Sequence, residues 1–76
     1  MISKAILRKE LDRHAPFEIV MADGGVHEVA HPDFLIIPQG KASQVFLYDG
    51  KGKRLVLSTL TMTGLVTAEL EDDFHD

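Results

Sequence analysis

The sequence contains no cysteine among its 76 residues, which excludes disulfides and thiolate metal sites. A chain of this length forms a single domain and buries only about 60–65 % of the surface that its unfolded form exposes. Small domains compensate with disulfides, a metal or self-association. The lack of cysteine also fits a reducing compartment, so we expect a cytoplasmic protein.

Long apolar segments are also missing. No run approaches the roughly 20 residues that a membrane-spanning helix needs. Met1 leads into a charged segment rather than into the apolar region of a signal peptide. We therefore expect a soluble chain with no membrane partner, made of one domain over residues 1–70 and an acidic tail over residues 71–76.

The sequence has none of the common catalytic patterns. Ser3, Ser43 and Ser58 lie outside any G-x-S-x-G context, and the glycines form neither G-x-G-x-x-G nor a Walker A loop. The segment Asp49-Gly50-Lys51-Gly52 lacks the later acidic ligands of a calcium loop. We therefore predict that the protein is not an enzyme, has no cofactor and acts on no small-molecule substrate.

Negative charge is concentrated near the end of the sequence. The net charge is −4, and five of the twelve acidic residues occupy the last eight positions: Glu69, Glu71, Asp72, Asp73 and Asp76. Residues 1–68 hold eight basic and seven acidic residues. We interpret residues 71–76 as a solvated, disordered tail that aids solubility. The alternative is an acidic mimic that competes with nucleic acid for a basic surface.

One helix is predicted, from Lys4 to His14. Ser3 is suited to cap its first amide groups, and Pro16 ends it. Leu7 and Leu11 form a narrow apolar face. Because about three turns with so narrow a face are marginally stable alone, the helix must pack on another element.

Beyond Pro16 apolar residues alternate with a period of two, which is typical of strands. Asp23-Gly24-Gly25 predicts a hairpin turn, and a three-residue loop there pairs Ile19 with Val29 on an intact apolar face. We predict a mainly β fold in which the helix precedes a five-stranded, strongly bent antiparallel sheet. This sheet is a small barrel of Sm/SH3-like type with the helix over one open end.

The segment VHEVAHPDF places His27 and His31 four residues apart. In a strand these positions lie about 13 Å apart, whereas a metal holds imidazole nitrogens at about 2.0–2.1 Å. The neighbouring Gly24, Gly25 and Pro32 favour a strand that runs into a turn, with Asp33 accepting a local backbone hydrogen bond. We therefore predict no metal site, within the chain or shared across a symmetric interface.

Three segments are apolar at consecutive positions, namely residues 34–37, 45–48 and 55–57. Both faces of these strands thus carry apolar side chains, and the last strand, Leu65 to Leu70, is an edge with no proline and no charge before Glu69. We predict self-association as a dimer or a ring. The candidate residues are Leu35, Ile37, Phe46, Tyr48, Leu65 and Val66.

Basic residues fall into two groups, one on the helix and one at a hairpin. The candidate basic surface consists of Lys4, Arg8, Lys51, Lys53 and Arg54. Nucleic-acid binders combine such a surface with aromatic stacking platforms, and this chain has five Phe and Tyr residues. We favour a solvated face, with RNA as the alternative partner.

Three motifs carry a resemblance over residues 5–70: Ala22-Asp23-Gly24-Gly25, His31-Pro32-Asp33-Phe34 and Val45-Phe46-Leu47-Tyr48-Asp49-Gly50. They resemble a group of short uncharacterised bacterial proteins with an "ADG" hairpin, an "HPDF" turn and a final "VT.LE". The group has no known activity and therefore implies none.

The order of one helix and five bent strands is also similar to the Sm-like fold, whose members form rings that bind RNA. The "YKHAI" stretch of the bacterial Sm-like RNA chaperone corresponds here to Leu60-Thr61-Met62-Thr63-Gly64, so no RNA-binding residue of that family is assigned. We expect a non-catalytic binding or assembly module that self-associates. The alternative is an Sm-like ring protein that binds RNA.

Overall fold

The structure is a computed structural model that describes residues 1–67, except for the side chain of His14. It contains one helix, α1 (Lys4–His14), and six strands. The strands are β1 (Phe17–Met21), β2 (Val26–Val29), β3 (Leu35–Ile36), β4 (Gln44–Tyr48), β5 (Arg54–Ser58) and β6 (Met62–Thr67). Two short 3-10 turns, Pro32–Phe34 and Thr59–Thr61, precede β3 and β6.

Helix α1 has the predicted bounds. The hydroxyl of Ser3 accepts a hydrogen bond from the Ile6 amide at 3.2 Å, which satisfies one of the free donors of the first turn. Ala15 is extended, as expected for a residue before proline. Leu7 is fully buried and Leu11 packs against the core, so the narrow apolar face contacts the strands.

The strands form two antiparallel sheets, β2-β1-β6 and β3-β4-β5. The prediction of one helix followed by an antiparallel, mainly β fold is confirmed. The prediction of a five-stranded barrel is wrong, because residues 1–67 form six strands and the two sheets do not close. The 3-10 turn Pro32–Phe34 follows β2, and β3 then pairs with β4 and not with β2, so the two sheets stay separate.

The hairpin between β1 and β2 forms where predicted but in another register. The Met21 amide donates to the Gly25 carbonyl at 2.8 Å, so the loop is Ala22-Asp23-Gly24, with Gly24 at φ 92°. Ile19 therefore lies opposite His27, and Phe17 opposite Val29. The predicted Ile19–Val29 pair is wrong because the loop begins one residue earlier, yet the apolar face stays intact.

Strand β6 begins three residues before the predicted start. Ser58 ends β5, and its hydroxyl accepts from the Leu60 amide at 3.1 Å, which starts the turn into β6. Pairing of β1 with β6 shifts between Val20 and Met21, where the Thr63 hydroxyl donates to the Val20 carbonyl at 3.2 Å. The predicted strand residues 68–70 and the predicted tail 71–76 lie outside the described residues.

One hydrophobic core draws on the helix and on the inner faces of both sheets. Its buried members are Leu7, Phe17, Ile19, Met21, Val29, Leu35, Val45, Leu47, Leu57 and Met62. Within residues 1–67, no helix is long and apolar enough to cross a membrane.

Candidate interaction surface

An apolar row crosses the outer face of the β3-β4-β5 sheet. Ile36 of β3 lies opposite Phe46 of β4, and Phe46 lies opposite Val56 of β5. Ile36 is 47 % exposed, Val56 is 50 % exposed, and Phe46 is half-buried. These three side chains, called the apolar row below, form a continuous patch because directly opposed residues on one sheet face are neighbours.

The row exists because these strands are apolar at consecutive positions, as predicted. Leu35 and Leu47 lie opposite each other and are buried, so the next residues, Ile36 and Phe46, face outward. Leu55 lies opposite the buried Leu47 and is still 42 % exposed. The β3-β4-β5 sheet thus carries more apolar surface than its inner face can bury.

The predicted self-association residues divide between core and surface. Leu35 is 4 % exposed and belongs to the core, so it cannot contact a partner without unfolding of β3. Ile37 and Leu65 pack partly against the core, and Phe46 and Tyr48 are half-buried. Val66 is 50 % exposed on β6.

The residues predicted from the sequence do not include the two most exposed apolar residues on the outer face of this sheet. Ile36 and Val56 are absent from the predicted set, although both lie within the apolar segments. Their position follows from the alternation of side chains along a strand. Because Leu35 and Leu57 are buried, the residues next to them point to the outer face.

Positive charge borders the apolar row at the β4–β5 hairpin. The guanidinium carbon of Arg54 lies 5.1 Å from the centre of the Phe46 ring, within the range of a cation–π interaction. Lys51 and Lys53 are exposed in the turn that precedes it. Residues 49–54, called the basic hairpin, carry three basic residues and one acidic residue, a net charge of +2.

The one acidic residue of the basic hairpin holds the turn together. The Asp49 carboxylate accepts from the Lys51 amide at 2.8 Å and from the Lys53 amide at 3.0 Å. These two hydrogen bonds, that from Lys53 foremost, lower the pKa of Asp49. Asp49 is therefore ionised at neutral pH, and the hairpin presents its lysines in a defined turn.

The predicted basic surface does not form one patch. Lys4 donates to the Pro38 carbonyl at 2.7 Å, and Arg8 donates to the same carbonyl at 3.1 Å. Both side chains fasten α1 to the loop that follows β3. Their role in the structure is therefore packing of the helix, and the exposed basic group is Lys51, Lys53 and Arg54.

The two histidines of the VHEVAHPDF segment have different surroundings. His27 lies in β2 opposite Ile19, whereas His31 precedes the 3-10 turn and its Nδ1 atom accepts from the Asp33 amide at 3.2 Å. The prediction that Asp33 accepts the local hydrogen bond is wrong, because the His31 ring takes that position. The described residues include no group of three or more His, Asp or Glu side chains that could hold a metal ion.

An open cleft of about 320 Å³ separates β2 from the end of β4. Val26 and His27 line one side, and Tyr48 and Leu55 line the other. Its lining also includes the carboxylates of Glu28 and Asp49.

The outer face of the β2-β1-β6 sheet has a different character. Glu18 of β1 lies opposite Glu28 of β2 and opposite Val66 of β6. Like charges that face each other across strands destabilise a sheet. This face therefore carries two facing carboxylates beside the half-exposed Val26 and Val66, whereas the other sheet carries the apolar row and the basic hairpin.

Comparisons of this chain with protein-family models, curated proteins and solved structures found no match. Its function must therefore be argued from its own surfaces. The apolar row and the adjoining basic hairpin are the features that distinguish one face of the molecule from the other.

Proposed function

We propose that this chain is a non-catalytic binding and assembly module that self-associates through the outer face of its β3-β4-β5 sheet. The observation that carries the proposal is the apolar row, in which Ile36, Phe46 and Val56 are aligned across three strands. A contiguous exposed apolar patch of this kind marks an interaction site in a small domain.

The occupant that we propose for this face is a second copy of the chain. Fully burying a Val, Ile or Phe side chain contributes about 1.5–3 kcal/mol. Ile36 and Val56 are each about half exposed, so covering each recovers roughly half of that amount. A 76-residue chain without disulfides has a marginal core, so this gain is large relative to its total stability.

The row alone is too small for a stable interface. A standard interface buries about 800 Å² on each partner, which is more than three side chains that are at most about half exposed can supply. Contact must therefore extend from the row onto a strand edge. In residues 1–67, β5 and β6 are outer strands of their sheets, and each carries a half-exposed valine, Val56 and Val66.

A matched series of valines tests the proposal. Val26, Val56 and Val66 lie on three different outer strands and are 53 %, 50 % and 50 % exposed. Each is changed to Lys, and the mass of each variant is measured by gel filtration with light scattering at micromolar concentration. We expect an oligomer for the parent chain and for Val26→Lys, and a monomer of 8.4 kDa for Val56→Lys.

The third variant of the series reveals the geometry of assembly. If β5 of one copy meets β5 of another, Val66→Lys stays oligomeric, which is the pattern of a symmetric dimer. If β5 meets β6, Val66→Lys also becomes monomeric, which is the pattern of a ring. A parent mass of 8.4 kDa that does not change on concentration would disprove self-association.

RNA binding is the second candidate, and one observation favours it. Arg54 over the Phe46 ring, with Lys51 and Lys53 nearby, combines positive charge with an aromatic platform. The net charge of −4 opposes it, because phosphate contacts dominate such binding.

A salt titration separates the two candidates. Binding of a fluorescent single-stranded RNA is followed by anisotropy between about 50 and 200 mM salt, where a few phosphate contacts cause a steep loss of affinity. RNA binding predicts such a loss, and a further loss in Lys53→Glu but not in Lys9→Glu. Absence of binding at the lower salt concentration would eliminate this candidate.

A further inference from the structure

The last residues of the sequence combine negative charge with apolar side chains. Residues 69–74, called the acidic segment, read Glu-Leu-Glu-Asp-Asp-Phe and contain four acidic residues and no basic one. Leu70 and Phe74 stand among these charges. Such a segment is complementary to a surface that joins positive charge to apolar side chains.

The surface with that composition is the basic hairpin together with the apolar row. The hairpin has a net charge of +2, and its Arg54 lies directly over Phe46. Charge-assisted contacts of carboxylates with Lys and Arg are stronger than neutral hydrogen bonds. The apolar row beside them offers contact for Leu70 and Phe74.

Other surfaces of the described chain are less suitable. The outer face of the β2-β1-β6 sheet carries Glu18 opposite Glu28, which repels an acidic segment. On α1, Lys4 and Arg8 are held by backbone carbonyls of the following loop. The remaining basic residues of the helix, Lys9 and Arg13, are balanced by Glu10 and Asp12.

The acidic segment is long enough to reach this surface within one molecule. Strand β6 ends at Thr67, and seven residues from there to Phe74 span at most about 23–25 Å. Through β1, Thr67 lies two strands from Val29, a distance of about 10 Å. The next residue, Ala30, lines the open cleft together with Asp49 of the basic hairpin, so the hairpin is within reach of the acidic segment.

We propose that the acidic segment docks in cis on the basic hairpin and the apolar row. Because docking covers Phe46 and Val56, it competes with the second copy that we propose for the same face. The tail then regulates assembly, in addition to any effect on solubility. Docking itself does not require self-association, so the two proposals can fail separately.

Paramagnetic relaxation measures the docking directly. The sequence has no cysteine, so His75→Cys gives one thiol for a nitroxide label in the full chain. The chain is also labelled with 15N, and the NMR intensities of its backbone amides are compared between the oxidised and the reduced nitroxide. We expect at least a twofold loss of signal for residues 51–56, and a smaller loss for residues 40–43, which lie at the opposite end of β4 and β5 from the basic hairpin.

Matched variants identify the contacts. Lys53→Glu with Arg54→Glu removes the positive charge of the hairpin and should abolish the signal loss, whereas Lys9→Glu with Arg13→Glu makes the same change on the helix and should not. The double variant Asp72→Lys with Asp73→Lys changes the charge of the acidic segment instead and should also abolish the signal loss at residues 51–56. Raising the salt to about 1 M, where the Debye length is about 3 Å, should reduce it strongly.

A mixing experiment establishes that the contact is within one molecule. Spin-labelled chain without isotope is added to isotope-labelled chain without the spin label, and we expect no signal loss at residues 51–56. Signal loss at residues 51–56 in this mixture as large as that in the chain with both labels would place the contact between copies and overturn docking in cis. If the amide signals of residues 51–56 are unchanged in the chain that carries both labels, docking is overturned altogether.

The effect on assembly is a separate readout. Light scattering of Asp72→Lys with Asp73→Lys should show dimer or ring formation at least several-fold below the concentration that the parent chain needs. If every variant is monomeric while the relaxation effect persists, the proposed self-association fails and the docking of the tail stands.

Discussion

The two sheets of this protein have the same number of strands and contribute to the same core, but their outer faces differ in charge. Each has three antiparallel strands, and each supplies fully buried residues to one core, such as Ile19 and Val45. On the outside, the β2-β1-β6 sheet places Glu18 opposite Glu28, whereas the β3-β4-β5 sheet places Ile36, Phe46 and Val56 in one row.

This difference separates the inner positions, which stabilise the fold, from the outer positions, on which the proposed interactions depend. Inner positions must be apolar in both sheets, because burial drives folding. Outer positions do not have to be apolar for the chain to fold, so the apolar row on the outer face supports the proposed contact with another surface. A pair of facing glutamates has the reverse effect, since it discourages contact with acidic partners.

The largest expected effect tests whether the sheets share one core. Ile19→Ala in β1 and Leu47→Ala in β4 should each lower the free energy of unfolding by about 2–5 kcal/mol. Urea denaturation of both variants measures this, and Val26→Ala, at an exposed position of β2, should change stability by less than about 0.5 kcal/mol. A cost below about 1 kcal/mol for either core variant would mean that its sheet is not part of the common core.

The hairpins of the two sheets should be equally sensitive at one glycine each. Gly24 and Gly52 have φ values of 92° and 90°, a region where a Cβ atom costs about 1–2 kcal/mol. Thermal unfolding of Gly24→Ala and Gly52→Ala should show this loss.

The matched control for these glycines lies in the second hairpin. Gly50 does not have a positive φ, and a Cβ atom added there would meet only open space. Gly50→Ala should therefore change stability by no more than about 0.5 kcal/mol. Equal losses at Gly50 and Gly52 would contradict the proposed role of the left-handed conformation.

The smallest effect sharpens the contrast between the outer faces. Glu28→Lys places a cation opposite Glu18 and should raise the free energy of unfolding by about 0.2–1 kcal/mol. Glu28→Gln should give only part of this gain, because it removes the repulsion without adding an attraction. A gain that persists unchanged at about 1 M salt would argue against an electrostatic origin.

Much of the fold follows from local signals in the sequence. Ser3 and Pro16 mark the ends of α1, and their action depends only on neighbouring backbone atoms. The hairpin at Gly24 is equally local, because a positive φ at that position suits glycine. Alternation also places Phe17 and Ile19 on one face of β1, since adjacent side chains in a strand point to opposite faces, and both are buried.

The candidate site could be predicted only in part. Apolar residues on both faces of β3, β4 and β5 are visible in the sequence, and they indicate an exposed surface. Which residues form it depends on the inward direction of Leu35, which follows from the turn at Pro32–Phe34. The pairing of Arg54 with Phe46 depends on the β4–β5 register and was not predicted.

The helix bounds, the turn positions and the mainly β class can be derived from the sequence, because they depend on contacts between residues close along the chain. Two other features become apparent only in the folded chain: the two sheets do not close, and Lys4 and Arg8 fasten the helix to the carbonyls of residues 37–38. The contacts of Lys4 join residues 34 positions apart. Their energies depend on how whole elements pack, which no local pattern specifies.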